Sequence, residues 1–190
     1  MKKLIIFDFF GVICDEVGLP WFREYFPKES FVEIKEKKCL PLDKGDLKEE
    51  IFFKDVAVLA GAPDEDVRQD WMGRVKINTD VLDLISSLSG DGYQVVLLSN
   101  AASKFIRDIL AKYSLEKYFT DIVISAEVHM SKPDPAIYQL TLERNNAKPE
   151  EAVFIDDNSN NVTTARMLGI HGVVFKDVVA LKNELDVLLK

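Results

Sequence analysis

The chain has 190 residues, of which 47% are hydrophobic and 29% charged, so it can bury one substantial core. Its net charge of −8 argues against a general nucleic-acid-binding protein, which would present a basic surface. Two cysteines, Cys14 and Cys39, are too few for a disulfide framework. No apolar run approaches the roughly 20 residues that a membrane span requires, and a charge interrupts the N-terminal run too early for a signal peptide. These features predict a cytosolic protein with reduced thiols.

The N-terminal apolar run, Leu4 to Phe7, ends on a carboxylate, Asp8. A short run rich in branched and aromatic residues predicts a strand that is buried on both faces. A buried carboxylate next to such a strand costs several kcal/mol unless it is paired or bound to a metal. We therefore expect Asp8 at the C-terminal end of the strand, in a crevice, with a partner.

The following segment, residues 16–78, is predicted to be helical throughout. Asp46 and Glu49 resemble a capping box at the start of one helix, which Gly61 can end. An aromatic group in this segment favours the core of a small helical lobe over a ligand cage; it consists of Trp21, Phe22, Tyr25 and Phe26.

From Thr79 onward, helical and strand patterns alternate. Strands are predicted at 93–98, 122–124, 152–155 and 173–175, and helices around 81–88, 105–110, 135–145, 158–169 and 178–188. This alternation predicts an α/β fold, a Rossmann-like parallel sheet with helices on both faces. Residues 1–15 and 79–190 would form this core, and residues 16–78 a helical cap inserted after the first strand.

Polar side chains follow several of the predicted strands, where an open α/β sheet binds its ligands. They are Asp8, Ser99, Asn100, Asp156 and Asp157, with Lys132 beyond the short third strand. Carboxylates that share a crevice repel one another, and a hard divalent cation relieves this, with Mg²⁺ the best fit to sparse oxygen ligands. No histidine or cysteine has the spacing of a zinc site. A lysine, a hydroxyl and a metal around one carboxylate nucleophile form a phosphoryl-transfer arrangement.

Four segments in this order resemble the motifs of the haloacid dehalogenase superfamily, in the branch with a small helical cap. They are Asp8-Phe9-Phe10-Gly11-Val12, Leu97-Leu98-Ser99-Asn100-Ala101, Lys132-Pro133-Asp134-Pro135-Ala136-Ile137-Tyr138 and Phe154-Ile155-Asp156-Asp157-Asn158-Ser159-Asn160-Asn161. The resemblance covers nearly the whole chain and implies a phosphatase that hydrolyses a small phosphorylated metabolite, such as a sugar phosphate.

The resemblance also implies roles for individual residues. Asp8 would attack phosphorus and form an aspartyl-phosphate, and Lys132 would neutralise both nucleophile and phosphate. Ser99 and Asn100 would hold the phosphate through hydroxyl and backbone groups. Mg²⁺ would bind Asp8, the backbone carbonyl of Phe10 and Asp157, with a direct or water-mediated contact from Asp156. Asn161 would orient a metal-bound water or an acidic ligand from outside the coordination sphere.

One position departs from the family pattern, because Phe10 stands where typical phosphatases of this family carry a second Asp. That acid protonates the leaving group and then activates water, assistance worth ~10²–10⁴-fold in rate. Its absence predicts a preference for leaving groups that need no proton, such as acyl phosphates or anomeric sugar 1-phosphates. Two alternatives stay open: a non-catalytic protein that binds phosphate compounds, and a metal-independent 2-haloacid dehalogenase, which the intact Asp156-Asp157 pair opposes. The oligomeric state is also open.

Overall fold

The computed structural model describes residues 3–189, apart from the side chains of Asp64 and Glu65. Within it, parallel strands form one sheet of five in the order β3-β2-β1-β4-β5. The strands are β1 (Leu4–Phe7), β2 (Gln94–Ser99), β3 (Asp121–Ile124), β4 (Ala152–Asp156) and β5 (His171–Val174). The predicted parallel α/β fold is confirmed, and each predicted strand lies within two residues of its observed position.

The central strand, β1, has fully buried side chains on both faces of the sheet. Ile5 and Phe7 face one hydrophobic cluster, whereas Leu4 and Ile6 face the other. This two-sided burial explains why its sequence is continuously apolar rather than alternating.

Helices cover both faces of the sheet. They are α1 (Gly18–Tyr25), α2 (Lys28–Ile34), α3 (Leu40–Asp43), α4 (Glu49–Ala60), α5 (Asp64–Gly73), α6 (Thr79–Gly90), α7 (Ser103–Lys112), α8 (Ser125–Val128), α9 (Pro135–Arg144), α10 (Ser159–Met167) and α11 (Val178–Leu188). One face of the sheet packs against α6, α7 and α11 and also against residues 16–78. The other face packs against α9 and α10. None of the helices within residues 3–189 is both long and apolar enough to cross a membrane.

Between β1 and α6, the described backbone is helical apart from its turns and loops; we call residues 16–78 the helical segment. Its core is aromatic, as the sequence predicted: Trp21 and Phe22 are buried and pack against Trp71. The thiols of Cys14 and Cys39 are unpaired, and burial raises the pKa of each to about 12. They are therefore thiols of low reactivity.

The predicted capping box at the start of α4 is wrong. The N-cap residue of α4 is Lys48, with no side-chain bond to the helix. The carboxylate of Glu49 instead accepts a hydrogen bond from the backbone N–H of Phe105, 2.8 Å away in α7. The predicted end of α4 is confirmed, because Gly61 follows it in the left-handed conformation.

Candidate active site

The strand register brings the strand-end residues together. Phe7 pairs with Leu97 on one side and with Ile155 on the other, so the residues that follow each strand lie at the same edge of the sheet. Asp8 continues the ladder through its N–H, which donates to the Ile155 carbonyl at 2.9 Å. The chain passes to β2 on one side of β1 and to β4 on the other, so Asp8 lies at the topological switch point, where α/β sheets bind ligands.

Lys132 is the buried partner that the sequence predicted for Asp8. Its Nζ lies 2.7 Å from Asp8 Oδ1 and 2.7 Å from Asp156 Oδ2. All three residues are less than a tenth exposed. One ammonium thus balances two carboxylates, and a net negative charge is left in a site shielded from water.

Burial and the neighbouring charges together set the direction of the pKa shifts of Asp8 and Lys132. Burial raises the pKa of Asp8 well above its usual value, Lys132 opposes the shift and Asp156 adds to it. Burial alone would lower the pKa of Lys132, but Asp8 and Asp156 outweigh it and raise that pKa. The amine therefore stays protonated, and an additional cation would be needed to keep Asp8 fully ionised.

Asp156 is held in place by neighbouring groups of the fourth motif. Asn161 Nδ2 donates to both carboxylate oxygens, at 3.1 and 3.0 Å, and the N–H of Asn158 donates at 2.8 Å. The structure thus places Asn161 against an acidic side chain of the site. Its bonds fix the carboxylate between Lys132 and the start of α10.

The residues expected to bind phosphate differ in how they are engaged. The side-chain amide of Asn100 makes two bonds with the Lys132 backbone, each 2.8 Å long, so it positions the lysine and can offer a ligand its backbone. The hydroxyl of Ser99 is fully buried and has no hydrogen-bond partner among the described residues. An unsatisfied buried hydroxyl costs about 1–3 kcal/mol, so this atom fits a site where a bound anion accepts a hydrogen bond from it.

The carboxylates Asp8, Asp156 and Asp157 fit a divalent metal. Each offers one oxygen, and these atoms lie within 4.8 Å of one another. Gly11, at φ +81°, brings its backbone so close to Asp157 that a Cβ would lie 2.5 Å from the carboxylate carbon. In the turn after β1, backbone N–H groups donate to the carbonyls of Phe9 and Cys14. No described backbone N–H donates to the carbonyl of Phe10. An all-oxygen donor set of this kind suits Mg²⁺.

The side chain of Phe10 packs into an aromatic group instead of facing a polar partner. Its ring lies parallel to that of Phe105, with centroids 6.4 Å apart. Phe105 in turn contacts Trp71 and Phe53 of the helical segment. Phe10 is therefore linked to the helical segment through Phe105.

The charges of the site act on two further carboxylates, Glu16 and Asp43, which no sequence motif singled out. Burial raises the pKa of Glu16. The charge of Asp157 raises that pKa further, whereas the charge of Lys132 lowers it. Burial raises the pKa of Asp43 to about 7, with Lys132 opposing the shift and Glu16 adding to it. No periodicity marks either residue, because their proximity depends on how the helical segment docks. The side chains of Arg23 and Lys44, two cations of the same segment, are exposed.

The helical segment is joined to α7 by a group of ionic side chains in which only Glu49 is buried. The Glu49 carboxylate accepts one hydrogen bond from the backbone N–H of Phe105 and another from Arg68 Nε, which lies 3.1 Å away. Arg68 also reaches Asp108 of α7 at 2.5 Å. Because α7 starts shortly after Ser99-Asn100, these contacts connect the helical segment to the loop expected to bind phosphate.

The geometry agrees with a comparison against protein families. A family model described as haloacid dehalogenase-like hydrolase matches residues 5–175, which is most of the chain. The chain belongs to the haloacid dehalogenase-like hydrolases. It is therefore an enzyme of the hydrolase class.

Relatives of this hydrolase include phosphatases. It is 26% identical over 174 residues to the phosphorylated carbohydrates phosphatase of Thermotoga maritima, an alignment that covers 90% of this chain and 78% of that protein. It is 32% identical over 119 residues to bifunctional epoxide hydrolase 2 of Rattus norvegicus, covering 60% of this chain but about a fifth (22%) of that longer protein.

A solved structure supports the fold. A HAD family enzyme from Bacteroides thetaiotaomicron, crystallised with magnesium and inorganic phosphate, superimposes with a TM-score of 0.76 at 28% identity. The superposition covers 93% of this chain and 95% of that one.

Proposed function

We propose that this hydrolase is a Mg²⁺-dependent phosphatase that cleaves a small phosphorylated metabolite, such as a sugar phosphate, through an aspartyl-phosphate on Asp8. Residues 1–15 and 79–190 would form the catalytic core. Residues 16–78 would act as a cap that covers the site and selects the leaving group. The names of its phosphatase relatives support this substrate class.

The observation that carries the proposal is the shared environment of the three strand-end acids. Lys132 Nζ lies 2.7 Å from Asp8 and from Asp156, and Asp157 offers a third oxygen nearby. Asp8 sits at the switch point with only 8% of its surface exposed. A protein that merely binds phosphate has less need of a buried nucleophile and a paired lysine together with a metal-binding acid.

Each residue of the site would have its own role in the two chemical steps. An oxygen of Asp8 bonds to phosphorus while the ester oxygen leaves, and water later breaks the Asp8–phosphorus bond to give inorganic phosphate. Lys132 offsets negative charge on the transferring group, and the Ser99 hydroxyl donates to one of its oxygens. Asp8, Asp157 and the Phe10 carbonyl would hold Mg²⁺, with Asp156 alongside. When bound, the ion keeps Asp8 ionised and stabilises charge on the phosphoryl oxygens.

Phosphate release from an aryl phosphate, with and without Mg²⁺, tests this proposal. Wild-type protein should release phosphate only with the metal, and Asp8→Asn should abolish release. Asp83→Asn removes an exposed carboxylate of α6 and should leave the rate unchanged. Metal-independent release of halide from a 2-haloacid would identify a dehalogenase instead. Tight phosphate binding without turnover would identify a binding protein.

A further inference from the structure

A buried aromatic pair, Tyr138 and Phe154, lies on the face of the sheet that α9 and α10 cover. Both side chains are fully buried. Their rings meet edge to face, with centroids 5.2 Å apart and planes 87° apart. Tyr138 belongs to α9 and Phe154 to β4. The pair therefore joins the helix that follows Lys132 to the strand that ends in Asp156.

The ring of Phe154 contacts the ammonium of Lys132. Alternate residues of a strand share a face, so Phe154 and Asp156 present their side chains on the same side of the sheet. Lys132 Nζ lies 5.5 Å from the centroid of the Phe154 ring and 2.7 Å from Asp156 Oδ2. A cation within about 6 Å of a ring centroid is attracted to the ring, and more strongly where water is excluded. The ring thus completes the surroundings of an ammonium that Asp8 and Asp156 also bind.

Tyr138 is connected to Asp156 by a second route, through the start of α10. Its hydroxyl donates to the backbone carbonyl of Asn161, 3.0 Å away in the first turn of that helix. The side chain of Asn161 donates to both oxygens of Asp156, and the N–H of Asn158 donates to one of them. The Tyr138 hydroxyl therefore fixes the helix start from which Asp156 receives its hydrogen bonds.

Both routes end on the ion pair between Lys132 and Asp156. Asp156 has protein donors on each oxygen, so the start of α10 sets the orientation of this carboxylate. The carboxylate and the Phe154 ring then set the position of the Lys132 ammonium. A misplacement of about 1 Å in a site of this kind can cost about 10²-fold in rate.

We propose that Tyr138 and Phe154 are positioning residues of this phosphatase and set where Lys132 meets Asp8 and the transferring group. Tyr138 acts through α10 and Asp156, whereas Phe154 acts on the ammonium directly. Both side chains are fully buried, so neither meets the substrate. The inference rests on the phosphatase function proposed above, because the position of Lys132 matters to the rate only if it stabilises charge in the reaction.

Tyr138→Phe tests the first route, since it removes the hydroxyl and keeps the ring against Phe154. With acetyl phosphate and Mg²⁺, kcat should fall about 10–100-fold, as when groups that orient ligands are lost, and KM should stay near the wild-type value. Thr141→Val is the matched control, because it also removes a buried hydroxyl of α9. That hydroxyl donates only within the helix, to the Ile137 carbonyl at 2.7 Å, so kcat should not change.

A double-mutant cycle separates positioning from a general loss of stability. In an Asn161→Ala background the hydroxyl has lost its connection to Asp156, so Tyr138→Phe should no longer lower kcat. Urea denaturation should show that Tyr138→Phe still destabilises the protein in that background. If Tyr138→Phe lowers kcat equally in both backgrounds, its hydroxyl has only a structural role, and the inference for Tyr138 is overturned.

Phe154 is tested by changing the charge distribution of its ring while its shape is nearly kept. Pentafluorophenylalanine at position 154 replaces the negative ring face by a positive one, so it should repel the ammonium and lower kcat about tenfold or more. The same replacement at Phe52, a buried residue of α4, is the control and should leave kcat unchanged. Phe154→Leu, which removes the ring and keeps an apolar side chain, should also lower kcat. A wild-type kcat in either Phe154 variant overturns the role of the ring.

The outcomes separate this inference from the function on which it rests. If wild-type protein releases no phosphate from acetyl phosphate with Mg²⁺, the proposed function fails and the inference falls with it. If wild-type protein releases phosphate and the Tyr138 and Phe154 variants do so at the same rate, only the inference fails.

Discussion

The ring of Phe10 lies parallel to that of Phe105, with planes 17° apart. This contact makes Phe10 part of the packing around Phe105, which itself contacts Phe53 and Trp71 of residues 16–78. The side chain of Phe10 therefore has a packing role.

Replacing Phe10 by Asp should therefore destabilise the protein. The change removes the ring from Phe105 and puts a carboxylate next to apolar groups, which should lower the free energy of unfolding by about 2–4 kcal/mol. Urea denaturation measures this, with Phe10→Leu as the control that keeps an apolar side chain. A Phe10→Asp variant that unfolds at the same urea concentration as wild-type protein would contradict the packing of Phe10 on Phe105.

Gly11 should be needed for metal binding. A Cβ at this position would lie 2.5 Å from the Asp157 carboxylate carbon, so Gly11→Ala must displace that carboxylate. We expect the Mg²⁺ concentration that gives half-maximal activity to rise about 10–100-fold, as when groups that orient ligands are lost.

Gly92→Ala is the matched control for Gly11→Ala. Gly92 also has a positive φ, +90°, but a Cβ added there would meet no atom within 4 Å, so the variant carries the backbone strain without the collision. An equal change of Mg²⁺ dependence in both variants would show that strain alone is responsible. That result would contradict the placement of Asp157 at the metal.

Glu49 should stabilise the junction between the helical segment and α7. Glu49→Ala removes the acceptor of the buried Phe105 N–H and the partner of Arg68. Leaving a buried donor unsatisfied costs about 1–3 kcal/mol, so the urea midpoint should fall accordingly. The neighbouring Glu50 is exposed, and Glu50→Ala should have little effect. Equal effects of the two substitutions would argue that the Glu49 contact does not form in solution.

Asp43 should make the stability of the protein depend on pH. Its pKa is about 7 in the folded chain against an ordinary value of 3.8, so folding takes up a proton between these values. The folded state therefore loses stability as pH rises through this range. Without Mg²⁺, Asp43→Asn should gain roughly 1–3 kcal/mol relative to wild type on going from pH 4 to pH 8. Parallel stability curves for the two proteins would contradict the raised pKa.

The sequence predicted the sheet well because its strands are short apolar runs that end in charged or polar residues. It also predicted the meeting of Asp8, Lys132 and Asp156, since parallel strands present their carboxyl ends at one edge. It could not predict the role of Glu49. α4 does begin at Glu49, but the side chain does not form the capping box; it bonds instead to Phe105 in α7, 56 residues away.

Asp43 carries no sequence signal for a similar reason. It lies in a short helix without a distinctive pattern, and its electrostatic interaction with Lys132, far along the chain, depends on how the helical segment packs on the sheet. Contacts of this kind depend on how two layers dock, and neither periodicity nor turn chemistry encodes that. Motifs thus identified the residues on the strand ends, and the structure was needed for the side chains that approach from residues 16–78.

The central claim is that Asp8 becomes phosphorylated, and mass spectrometry tests it most directly. Protein mixed with acetyl phosphate and Mg²⁺ and then quenched in acid should gain the mass of one phosphoryl group, located on the peptide that contains Asp8. Asp8→Asn should gain none, and Asp83→Asn should behave as wild type. Phosphate release by wild-type protein with no phosphorylated peptide, or a phosphoryl group on another residue, would contradict the account.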